Sequence, residues 1–147
     1  MATLKRIPDG YHTLTPYLLV DGLPSYLEFL KRAFDAKEDH RSTAPDGTVV
    51  HAAVKIGNSM MMMGQPRGEW KASPCMLYMY VDDVDAAYAR ALQAGAKEIR
   101  EPRDEFYGDR SGGVQDPAGN QWWIATHLED VSPAELEKRF QAMAGQH

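Results

Sequence analysis

The sequence predicts an α+β fold made of one strand-helix-strand-strand-strand module written twice, and three observations carry that expectation. "YLLVDGLPSYLEFLKRAFDAK" (17–37) and "YMYVDDVDAAYARALQAGAK" (78–97) share a plan of tyrosine, apolar strand, Val-Asp, helix and Ala-Lys. Tyr17, Val20 and Asp21 fall on Tyr78, Val81 and Asp82 at a constant offset of 61. After each helix come short strand-like segments divided by turn chemistry, "PDG" and "GNS" in the first copy and "DPAGN" in the second. The strands themselves ("YLLV", "MMMM", "MLYMYV", "WWIA") are apolar on both faces, so both faces must be covered.

The first module is expected over 11–65. Its strand "YLLV" precedes a helix in which Leu23, Tyr26, Leu27, Leu30, Ala33 and Phe34 recur at spacings of three and four, with Glu28, Lys31 and Arg32 off that stripe. The strands "EDHRSTA", "TVVHAAVKI" and "MMMMGQ" follow. "PRGEWKASP" (66–74), rich in Pro and Gly, reads as a linker. The second module is expected over 75–127. Val84, Ala87, Tyr88, Ala91 and Leu92 form its helix stripe, Asp82 or Asp83 caps the start, and Gly95 ends it in a left-handed conformation. Its strands are "KEIREPRDE", "DRSGGVQ" and "QWWIATH". A tail helix over 132–144 begins with Ser132 as cap, Pro133 in the first turn and Glu135 in a capping box. Leu136, Phe140 and Met143 give it an apolar side to dock on its own chain or on a partner subunit.

At 147 residues the chain fits one domain, and 44% hydrophobic with 25% charged residues is globular composition. A net charge of -5, with no basic cluster longer than Lys5-Arg6, argues against a nucleic-acid partner. Cys75, the single cysteine, excludes an intrachain disulfide and is expected to be a small buried residue. No apolar run approaches a signal peptide or a membrane span, so the expectation is a cytoplasmic protein without a membrane partner.

Side chains alternate across a strand, so parity sorts them. Thr15, Tyr17 and Leu19, with Met76, Tyr78 and Tyr80, share the face expected to line a pocket. Pro16, Leu18, Val20, Leu77, Met79 and Val81 are expected to pack on helices. Within Met60 to Met63, position 62 belongs to the pocket side, where a flexible thioether suits an irregular apolar ligand. Trp122 and Trp123 are neighbours and must point to opposite faces.

The doubled module, the "V-D-D-V" strand-to-helix junction, the "A-G-A" helix end and the "D-P-x-G-N" hairpin resemble the vicinal oxygen chelate superfamily, in its glyoxalase/bleomycin-resistance/dioxygenase branch, over about residues 11 to 127. The resemblance implies curved mixed sheets enclosing a cleft, usually in a homodimer. It also implies a divalent metal held by His and Glu from the first and last strands of each module. The matching positions here are Thr15, Met62, Met76 and Trp123, none a histidine or a carboxylate. The expectation is therefore no metal and no cofactor, and a large aromatic at position 123 acting as a wall of a binding site.

The ligand-binding candidates are Tyr17, His51, Met62, Tyr78, Tyr80, Tyr107, Arg110 and Trp123. His51 reads either as a polar group facing the ligand or as a structural strand histidine. Arg110 reads either as a clamp for an anionic group or as a surface partner of Asp109 or Glu105. Of the other histidines, His40 and His147 read as solvated, His12 reaches the cleft only with a shifted register, and His127 bonds the following "LED" turn. Serine-nucleophile, phosphate-loop and zinc-protease motifs are absent, and no catalytic residue is assigned. The function expected is binding or sequestration of a small aromatic or amphipathic molecule. The alternatives are a lyase, isomerase or dioxygenase with a divergent metal site around His51 or His12, and an interaction module whose cleft is filled by its own side chains.

Overall fold

The computed structural model of the chain describes residues 4–145; His147 lies outside them. Its elements, in order, are β1 (Tyr17–Leu19), α1 (Leu23–Phe34), β2 (Lys37–Thr43), β3 (Val49–Ile56), β4 (Ser59–Gly64), β5 (Met76–Tyr80), α2 (Val84–Gln93), β6 (Lys97–Asp104), β7 (Asp109–Gln115), β8 (Gln121–His127) and α3 (Pro133–Ala144). Each half is thus strand, helix, strand, strand, strand, and the fold is α+β. The two sheets have the same plan, β1-β4-β3-β2 and β5-β8-β7-β6. In each, the first strand runs parallel to the last and the remaining pairs are antiparallel. Two compact units carry them: one ends at Cys75 and includes Pro117–Gly119, the other comprises Met76–Asp116 and the chain from Asn120 onward.

Register explains the core of each unit. In the first sheet Leu18, Met63 and Ala52 lie side by side across three strands and are all buried, with Val54 and Met61 paired in the same layer. Helix α1 covers this layer with Leu23, Tyr26, Leu27, Phe29, Leu30 and Ala33. Phe29, one position off the three-four stripe, is buried as well, stacked on Tyr26 and edge-on to Phe34. In the second sheet Leu77, Trp122 and Val114 form the corresponding row, and Ile124 continues it.

The helix ends obey local chemistry. Asp83, not Asp82, caps α2 by accepting the Ala86 N–H at 3.1 Å, and Gly95, at φ 114, follows its last turn. Ser132 caps α3 by accepting the Glu135 N–H at 3.1 Å. The Glu135 carboxylate does not close the box and takes Arg139 instead. Helix α3 docks on its own unit: Phe140 meets Phe106 at 5.9 Å, and Arg139 donates to the Phe106 carbonyl and to Glu129. None of its side chains is buried. Cys75 is half-buried instead of buried, and Trp70 in the linker is exposed. No helix among the described residues is long and apolar enough to cross a membrane.

Candidate ligand-binding faces

In both units the face opposite the helix carries the functional candidates, Arg110 excepted. On the first sheet Tyr17, Met62, Ala53 and His40 form one cross-strand row, and Leu19, Gly64, His51 and Ser42 the next. Tyr17 is 53% exposed, and its ring leans over Gly64, where a β-carbon would stand 2.5 Å from the phenol oxygen. His51 is half-buried beside Tyr17 at 5.8 Å and His40 at 6.1 Å, ring centre to ring centre. The structure therefore gathers Tyr17, His51 and Met62 on one surface. Of the neighbouring methionines, Met60 is buried beside the N-terminal segment at Gly10, and only Met62 is partly open on this side.

The second sheet presents a denser surface. Tyr78, Trp123, Gly113 and Arg100 form one row; Tyr80, Ala125, Ser111 and Arg103 form the next. Trp122 points the other way, 3% exposed, with its indole N–H donated to Asp116 at 2.9 Å. Trp123 is half-buried and lies flat over Gly113: a β-carbon there would sit 2.8 to 2.9 Å from three atoms of its six-membered ring. Glycine is required at 113 because any side chain would lift the indole off the sheet. The Arg100 guanidinium sits 5.0 Å from the Trp123 ring centre, at the long end of cation–π range. Arg100 also pairs with Glu105 and donates to the carbonyl and hydroxyl of Ser111 at 2.6 and 2.8 Å.

Beside this platform is a buried carboxylate that sequence reasoning missed. Asp109, 2% exposed, accepts the hydroxyls of Tyr78 and Tyr80 on Oδ2 at 2.8 and 2.9 Å and His127 Nδ1 on Oδ1 at 2.8 Å. Burial alone would push its pKa up; the donors from His127, Tyr78 and Tyr80 outweigh that and hold it below the usual range. Burial and the hydrogen bonds to Tyr107 and Asp109 push the Tyr78 phenol far up. The bond to Asp109, then burial, raise Tyr80. His127 touches Asp109 through Nδ1 and Asp130 through Nε2, and both bonds raise its pKa. The expected bond from His127 to the "LED" turn is present, but it is half of the arrangement. Tyr107 lies 3.3 Å from the Tyr78 hydroxyl, oxygen to oxygen, so Tyr78, Tyr80, Tyr107 and Trp123 share one side of one unit.

Arg110 is the correction. It stands on the helix side of β7 and makes a two-pronged bond to Asp85 of α2 at 2.9 and 3.0 Å, with a third contact to Asp104. It is neither a clamp on the open face nor a partner of Asp109 or Glu105. The arginine on the open face is Arg100.

The positions at which the resemblance implies metal ligands do not fit a divalent cation. Met62 and Met76 offer soft, weak thioethers, Thr15 a neutral hydroxyl, and the Trp123 indole no ligand atom, whereas zinc, iron or manganese call for imidazole or carboxylate. Among the described residues no three of His, Cys, Asp and Glu converge as a cation would require. His51 has His40 and Tyr17 as ring neighbours, and His12 is exposed.

The model of the Glyoxalase/Bleomycin resistance protein/Dioxygenase superfamily matches residues 11–124, and the chain belongs to that superfamily. An uncharacterized protein of Mycobacterium tuberculosis is 33% identical over 135 residues, covering 84% of this chain and 79% of its own length. A counterpart in Mycobacterium bovis has the same identity, with 89% of its length covered. Among solved structures, TioX from Micromonospora sp. ML1 shares the fold at a TM-score of 0.69 and 24% identity, covering 80% of this chain and 99% of TioX. An Arabidopsis thaliana gene product follows at 0.63 and 25% identity, with 78% and 98% covered.

Proposed function

We propose that this member of the superfamily binds or sequesters a small planar aromatic or amphipathic molecule on the open face of its sheets, by ring stacking and apolar contact and without a metal. The observation that carries the reading is Trp123. At a position where the resemblance implies a metal-binding carboxylate, an indole lies flat on Gly113, and its flatness suits it to stack. Exposed tyrosines beside it add area: Tyr78 and Tyr80 are 45% and 61% exposed. Ordinary surfaces do not gather exposed aromatic side chains on one patch without use. On the first sheet Tyr17 is likewise set close to a glycine, with its hydroxyl end nearest Gly64.

The test is a panel of planar aromatic compounds titrated against tryptophan fluorescence, before and after exhaustive dialysis against EDTA, with metal content measured by elemental mass spectrometry. Saturable quenching that survives dialysis is the expected result. Quenching or turnover that disappears with EDTA and returns with a divalent ion overturns the metal-free reading and favours a glyoxalase- or dioxygenase-type enzyme.

A further inference from the structure

Hydrogen-bond bookkeeping around Asp109 specifies which polar group the second sheet accepts. An ionised carboxylate only accepts, and each phenol has one proton. The Tyr78 and Tyr80 protons both go to Oδ2 of Asp109, so both phenol oxygens are left with lone pairs and nothing to donate. The Tyr80 oxygen receives no hydrogen bond among the described residues; the Tyr78 oxygen has Tyr107 at 3.3 Å, a long contact. Oδ1 of Asp109 is occupied by His127.

We infer that the Tyr78 and Tyr80 hydroxyls, locked as donors onto Asp109, form a subsite that only accepts hydrogen bonds, so that the aromatic ligand carries a donor there, an ammonium or a hydroxyl, and not a carboxylate. The inference rests on the binding function proposed above. A cationic donor gains twice, from the phenol lone pairs and from the faces of the same rings, which attract cations. An anion meets two oxygens with no proton to offer and the Asp109 charge behind them. Pulling the other way are three basic groups: Arg103 in the Tyr80 row, paired with Glu105; His127 beside the Tyr80 ring, paired with Asp109 and Asp130; and Arg100, whose buried Nε has no partner, although its remaining nitrogens are held by Glu105 and Ser111.

Naphthylmethylammonium, naphthol and naphthoate offer one ring system with three polar groups, and equilibrium dialysis gives their affinities directly. The wild-type chain is expected to bind the ammonium at least about tenfold more tightly than the carboxylate, the ratio a charge-assisted hydrogen bond supports, with naphthol between them. In the double variant Tyr78→Phe, Tyr80→Phe the preference should shrink to within about twofold, chiefly because the ammonium binds more weakly. Tyr80→Phe alone keeps the Tyr78 bond to Asp109 and should lose part of the preference, a control should the double variant unfold. Naphthoate binding as tightly as the ammonium, or more tightly, overturns the inference and points to Arg100. A preference that persists in both variants also overturns it, since general charge attraction then suffices. Failure of all three compounds to bind overturns the proposed function, and this inference with it.

Discussion

Trp122 donates its indole N–H to Asp116 inside the core of the second unit, while Trp123 lies half-buried against Gly113 on the opposite face of the sheet, with the Arg100 guanidinium 5.0 Å from its ring centre. Replacing Trp122 with alanine removes a buried ring and one hydrogen bond, a loss of about 3 to 5 kcal/mol in urea denaturation. Replacing Trp123 with alanine should weaken aromatic binding at least about tenfold, as loss of a stacking anchor does, at a smaller cost in stability. The reverse pattern would contradict the assignment of faces. The contrast was legible from neighbouring positions alone, because strand parity sends adjacent side chains to opposite sides. What Asp109 bonds to was not legible. Its partners lie 18 to 31 residues away in sequence, and a lone aspartate before an arginine reads as a solvated charge.

Strand β7 shows why one element can be found and still misread. "DRSGGVQ" has a single large apolar residue, so its hydrophobic pattern fixes the orientation through Val114 alone. Val114 is fully buried on the helix side, and counting back by two places Arg110 there and Asp109, Ser111 and Gly113 on the open side. That count was available from the sequence, and it would have replaced Arg110 with Asp109 as the polar candidate. The longer apolar strands and the two module helices carried redundant signals, and their positions followed from period and turn chemistry. Gly113 provides the element-scale test. Gly113→Ala puts a β-carbon 2.8 Å from the Trp123 ring; relieving the clash should cost about 1 to 3 kcal/mol, as overpacking does. Tilting the indole should also weaken aromatic binding, read by thermal melting and by titration on the same sample. Unchanged affinity would show that the flat setting of Trp123 is not what the ligand uses.

Across the whole molecule the two modules keep one strand order and have diverged in their polar chemistry, and the charged groups set how stability responds to pH. Several carboxylates lie below their ordinary values: Glu38 is held at about 2 by Arg41 and Lys31, Asp85 is lowered by Arg110, and in Glu105 and Asp109 burial acts upward but is outweighed by their donors. A lowered carboxylate contributes stability above its unfolded value, 3.8 for Asp and 4.5 for Glu, and the contribution is lost as pH falls through the folded value. His127 has the opposite sign: raised by Asp109 and Asp130, it contributes fully below its unfolded value of 6.5 and loses that contribution as pH rises through the raised one. Together these place the stability maximum between pH 4.5 and 6.5, bounded by the ordinary values of glutamate and histidine. Melting temperature against pH should therefore peak in weakly acid buffer and decline on both sides. His127→Gln should flatten the decline above pH 6.5 and leave the acid limb, which belongs to the carboxylates, in place. If wild type and variant follow the same curve above that pH, the link between His127 and Asp109 does not contribute to the stability of the folded chain.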